Sequence, residues 1–130
     1  MRVSLPGIVA LFLMGPLVGC LNFYEEKLSK ELPPLEPKFS SLSKRIFERR
    51  CTGCHSSGGT AEKVPLINLK ELLASPRELV IPGDVEESGL LIALQRNDDK
   101  RMPPPGRGSP LNADEIQTIR DWIAQGAKDN

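Results

Sequence analysis

The most apolar stretch of the chain runs from Leu5 to Val18 and is broken by Pro6, Gly7, Gly15 and Pro16. It is shorter than the about 20 apolar residues that a membrane-spanning helix needs. Arg2 sets a positive charge ahead of it, and Leu17-Val18-Gly19-Cys20 closes it, so residues 1–19 read as an export signal. Residues 20–40 show no period. Glu25 to Glu31 is charged, and Pro33, Pro34 and Pro37 favour extended backbone, so this stretch reads as a tether. Helical spacing begins after it. Leu42, Ile46 and Phe47 form one apolar stripe, which predicts a helix from about Leu42 to Cys51, capped by Ser40, Ser41 or Ser43. Asn68-Leu69-Lys70-Glu71 has the form of a capping box and opens a short helix that should stop near Ser75, before Pro76. Leu90, Leu91 and Leu94 mark a helix starting at Val85 or Ser88 and reaching Gln95. Gly89 within it permits close approach to another backbone. Asn112-Ala113-Asp114-Glu115 caps a last helix, Ala113 to Gln125, with Ile116, Ile119 and Ile123 in phase and Gly126 at its C′ position. The pattern is that of a small all-α domain of about four helices over residues 41–130.

Composition narrows the function classes. The 130 residues suit one domain, and 17 basic against 17 acidic side chains leave no net charge. Nothing there points to nucleic acid or to a strong steering field. A domain of about 90 residues buries only a modest core by surface-to-volume scaling. A large apolar cofactor would add to it.

The chemistry is concentrated in Cys51-Thr52-Gly53-Cys54-His55. The pattern C-x-x-C-H reads as a site of covalent haem attachment. Each thiol can add to one vinyl group of a porphyrin, and the imidazole can reach the iron. On a helical turn, positions 51, 54 and 55 lean over one face. His55 is the one histidine of the chain, and the three methionines are Met1, Met14 and Met102. With Met1 and Met14 in the export signal, Met102 is the thioether left for the far side of the iron. It stands in Lys100-Arg101-Met102-Pro103-Pro104-Pro105-Gly106, a stiff and polar setting unlike that of a core-filling methionine. Met/His ligation raises a haem's reduction potential. A zinc site or redox dithiol at Cys51 and Cys54 is a rival reading, but structural zinc asks for four ligands and three stand near each other here.

These residues resemble a single-haem class I c-type cytochrome of the compact bacterial kind. The likeness is carried by Pro82-Gly83-Asp84, Ser88, Leu90, Arg101 to Pro104, Glu115-Ile116, Ile119, Trp122-Ile123 and Gly126-Ala127, together with the C-x-x-C-H motif. It spans roughly residues 41–128. The resemblance implies a cytochrome c-like helical fold wrapped around one covalently bound haem c, with His55 and Met102 as iron ligands. It also implies that an aromatic at Phe47 packs on the last helix. A proline carbonyl should accept a hydrogen bond from the other nitrogen of the ligand histidine, and Pro65 is the candidate. Leu66 and Leu69 stand either at the haem edge or in ordinary core. Trp122 either packs or sends its indole N–H to a haem propionate, and packing is preferred. Arg49 and Arg50 are read as solvated surface rather than propionate contacts.

Leu17-Val18-Gly19-Cys20 resembles a bacterial lipobox, which makes Cys20 the lipidated first residue of the mature chain. A plain cleavage site and an uncleaved anchor are the alternatives. The expected place is therefore the bacterial cell envelope, with a lipid anchor and the domain facing the periplasm. The expected role is one-electron transfer without enzymatic turnover. Partners would be a membrane oxidoreductase, a terminal oxidase or a periplasmic dehydrogenase, docked transiently at the haem edge with help from Lys100, Arg101 and Arg107. The alternative is a haem-based sensor, or an accessory haem subunit of a periplasmic oxidoreductase. A sensor or haem enzyme needs an open sixth position on the iron, and Met102 argues against one.

Overall fold

A computed structural model describes residues 33–130. The expected export signal, Cys20 and most of the expected tether lie outside the described residues. Among the described residues the regular structure is helical, and the one extended pairing is an isolated bridge between Ile81 and Asp84. No helix among them is long and apolar enough to cross a membrane.

The first helical run joins α1 (Phe39–Leu42), a π-helical stretch (Ser43–Phe47) and α2 (Glu48–Arg50). It starts at Phe39 rather than near Leu42, because Phe39 has a place to pack. Its ring lies 6.4 Å from that of Phe47 and 5.9 Å from that of Trp122, centroid to centroid. The expected serine cap is absent. Lys38 is the N-cap and makes no side-chain cap bond. Ser41 serves the incoming chain instead, its Oγ accepting from Glu36 N at 3.0 Å and donating to Pro34 O at 3.2 Å. Arg45 donates to Pro33 O at 2.9 Å, and Leu35 packs against the core. The residues just before the helix are thus fastened to the domain. Leu42, Ile46 and Phe47 are buried, as their spacing predicts.

α3 (Leu69–Leu73) opens on Asn68, whose side chain accepts from Glu71 N at 3.0 Å. The return half of the expected box is not made. Glu71 Oε2 is buried and has no partner among the described residues. The helix ends before Pro76, as the restriction on pre-proline residues requires.

α4 (Gly89–Gln95) starts at the later of the two expected places, because Asp84 closes a separate turn before it. Asp84 Oδ1 accepts from Glu87 N at 3.1 Å. Ser88 is fully buried, and its Oγ accepts from Ile81 N at 3.0 Å and donates to Asp84 O at 2.6 Å. This serine therefore knots the 81–84 loop and does not cap the helix. Gly89 makes the close approach its position suggests: its N–H meets Glu78 O at 2.9 Å, and a Cβ would lie 2.9 Å from Arg77 O.

α5 (Ala113–Ala124) carries the full capping box of Asn112 and Glu115. At its other end Gly126 N bonds to Ile123 O at 2.9 Å and Ala127 N to Trp122 O at 3.0 Å. This is a Schellman motif, with Gly126 at φ +94°. Trp122 is buried and its Nε1 donates to Lys128 O at 2.9 Å. The indole N–H is thereby spent on the backbone, so Trp122 is a packing residue. The buried set joins the first run, α3, α4 and α5 through Leu42, Phe47, Leu72, Leu91, Ile119 and Ile123.

Candidate functional site

The helical run delivers Cys51 at its C-cap. The wide turn before it is visible at Phe47, whose carbonyl accepts from both Cys51 N (2.9 Å) and Thr52 N (3.0 Å). Such i→i+5 turns are uncommon and gather at functional sites. The next five residues continue as a turn. Cys51 O accepts from Cys54 N at 3.0 Å and from His55 N at 2.9 Å. The two thiols and the imidazole are thus set by one short, helix-like segment, as the spacing implied.

The following loop folds back over that segment. Ala61 N donates to Cys54 O at 2.9 Å, and Leu66 N to His55 O at 3.0 Å. Gly59 is required by contact: a Cβ there would stand 2.2 Å from Cys54 O. The chain leaving this loop brings a carbonyl to the imidazole. His55 Nδ1 lies 2.8 Å from Val64 O. The expected acceptor was Pro65, so the position is corrected by one residue. Leu66 N pins the chain to His55 O, and with that register the carbonyl opposite the ring is Val64's. Pro65 still contributes, because a proline restricts the residue before it to extended backbone. With Nδ1 committed to Val64 O, Nε2 is the nitrogen left for an outside partner.

Across from this segment, Met102 is held by its backbone. Its N–H donates to Ala93 O at the end of α4, at 2.9 Å. Arg101 Nη1 reaches over Met102 to Pro103 O at 2.7 Å. The prolines that follow have no N–H to give. Arg101 therefore supplies one of the few ties this loop can make.

Cys51, Cys54, His55 and Met102 line one cavity of about 490 Å³. That size falls within the range of about 300–1,000 Å³ usual for cofactor sites. Leu66, Leu79, Leu90 and Leu94 supply apolar wall. Leu69, the other candidate for the edge, packs against the core instead. The charged lining is Arg50, Arg77 and Arg107, with no carboxylate among the lining residues. Sequence reasoning gives Arg107 a part in partner docking and prefers solvent for Arg50, yet both line the cavity, as does Arg77, which nothing in the pattern marks. Arg49 is exposed, as expected.

Both thiols are free and half-buried. Burial pushes the Cys51 thiol up to about 11; Arg50 pulls the other way, and Cys54 and Glu115 add smaller upward pushes. A half-buried thiol kept protonated beside apolar wall is poor at holding a bare cation. Among the described residues no three His, Cys, Asp or Glu side chains come together as a metal-holding group. The donor set fits a porphyrin instead: two thiols for its vinyl groups, an oriented imidazole, a thioether, apolar walls for its faces and guanidinium groups for its carboxylates.

No curated protein and no solved structure matched the chain. Residues 51–106, which contain every side chain named for the iron and the thioethers, match the model of a family described as Planctomycete cytochrome C, and this supports a cytochrome c-like domain, with the covalently bound haem c and haem-based electron transfer that such a domain implies.

Proposed function

We propose that the protein is a one-electron carrier that would hold a single haem c, with His55 and Met102 as the residues that would bind its iron. The observation that carries this reading is the meeting of Cys51, Cys54, His55 and Met102 on one apolar cavity. Bound there, the haem supplies an iron that changes oxidation state by one electron. The residues supply the rest. Cys51 and Cys54 would hold the ring by thioether bonds. The Val64 carbonyl orients His55 and raises the basicity of the nitrogen that faces the iron. The backbone bond from Met102 to Ala93 sets the far ligand on the end of a helix. Leu66, Leu79, Leu90 and Leu94 keep water from the ring faces, and low polarity with a thioether ligand favours the reduced form. Arg77 and Arg107 make no side-chain hydrogen bond or ion pair with any described residue, which leaves them for anionic substituents at the cavity mouth.

The same reading places the protein in a bacterial envelope. Its support is the sequence of residues 1–20, with Cys20 as the lipidated residue. Acyl chains contribute about 0.8 kcal/mol per buried CH₂, so more than one chain would hold the protein on a membrane. Mass spectrometry of the mature N-terminus tests the anchor, and an unmodified Cys20 would remove it. Redox partners in or beside that membrane would dock transiently.

Met102→Ala tests the ligation. The variant should lose the weak far-red absorption of the ferric protein, fall in reduction potential and bind carbon monoxide quickly when reduced. An unchanged potential, or fast carbon monoxide binding by the unsubstituted protein, would favour a sensor.

A further inference from the structure

The loop that carries Met102 is tied at its start by the bond to Ala93 and at its far end by Arg50. Arg50 Nη2 donates to Ser109 O at 2.6 Å and to Pro110 O at 3.1 Å. Its Nη1 meets Glu115 Oε2 at 2.7 Å, with the two side chains 25% and 18% exposed. The same Glu115 oxygen accepts from Asn112 N at 2.9 Å, closing the capping box of α5. One guanidinium thus joins the residue before Cys51, the end of the Met102 loop and the start of α5. The loop itself has few other means of attachment, since Pro103, Pro104, Pro105 and Pro110 lack an N–H.

We infer that Arg50 is a positioning residue for Met102: held by Glu115, it clamps the 103–110 loop to the helical run that ends at Cys51 and so keeps Met102 over the cavity. The inference rests on Met102 being that ligand. The fork geometry of a guanidinium matters here, because two carbonyls and a carboxylate are held at once. Hydrogen bonds to charged groups of this kind are strong enough to shift a closed-to-open equilibrium by about tenfold or more.

The test uses the exported, haem-loaded protein and the variants Glu115→Gln, Arg50→Lys and Arg50→Ala. Glutamine at the third helical position keeps the capping box, so Glu115→Gln removes the ion pair with the helix start intact. Haem should stay attached in all three. Carbon monoxide binding to the reduced protein should speed up by about tenfold or more in Arg50→Ala and Glu115→Gln, with Arg50→Lys between them and the parent. The far-red ferric band should fade on warming before the helical circular dichroism does. Rates and band equal to the parent's, while Met102→Ala opens the site, would overturn the role of Arg50 alone. Loss of band and helix at one temperature would reduce Arg50 to a structural residue and also overturn it. A parent without the far-red band, unaffected by Met102→Ala, would overturn the ligation and this inference with it.

Discussion

The Cys51 thiol shows what burial does to one functional group. Its side chain lies against the cavity wall, and desolvation lifts it to about 11. The sign follows directly. In the haem-free fold the thiol stays protonated while an unfolded chain's thiol ionises from its ordinary value of 9.0. Its contribution to the stability of the haem-free fold is therefore complete below about pH 9 and is lost as pH rises through about 11. Alkylation of Cys51 in haem-free protein should accordingly keep accelerating from pH 9 to about 11. A rate that levels off near pH 9 would show that the thiol is not enclosed. At this scale much was legible in advance. The C-x-x-C-H spacing and the single histidine identified three of the cavity's groups, and elimination reached Met102. The acceptor for Nδ1 was missed by one residue because loop register depends on the Leu66–His55 bond, which no local pattern encodes. Arg50 and Arg77 were missed for a similar reason: a surface-looking arginine enters a site only through tertiary folding.

The elements repeat that division. The helix cores were readable from apolar spacing, and α5 from its capping box and glycine stop. The ends were less so. Phe39 looked like tether because it follows prolines, yet it joins the helix through its contacts with Phe47 and Trp122. Phe39→Ala should destabilise the haem-loaded protein by about 2 kcal/mol, less than a fully buried phenylalanine because the ring is partly exposed. Thermal unfolding followed by circular dichroism measures it, and an unshifted midpoint would mean that the helix truly starts at Leu42. The π-helical stretch has no sequence signature that spacing alone reveals. Gly59 belongs to the same scale, since it lets the 56–63 loop lie on the segment from Cys51 to His55. Gly59→Ala would force a methyl to within 2.2 Å of Cys54 O unless the backbone moves. The expected cost is about 1–3 kcal/mol, read as a lowered unfolding midpoint and a lower yield of haem-loaded protein. Wild-type yield and midpoint would mean that the loop does not lie against Cys54.

For the molecule as a whole, the one buried cluster of residues 33–130 has two duties. One is the packing of the first helical run near α5, where Phe47, Ile119, Trp122 and Ile123 are buried and Phe39 lies partly exposed against Trp122. The other is the apolar cavity, whose wall residues Leu66, Leu79, Leu90 and Leu94 belong to the same buried cluster. A small domain buries a limited core. Spending part of that apolar surface on a cavity makes sense when a large flat group fills it. The most direct test is a visible absorption spectrum, with a redox titration, of protein made in a host that exports it and attaches haem c. A coloured protein that keeps its haem through denaturation and acid extraction, and titrates as a single one-electron couple, is the expected result. A colourless product, or haem that washes out on denaturation, would contradict the account at its root.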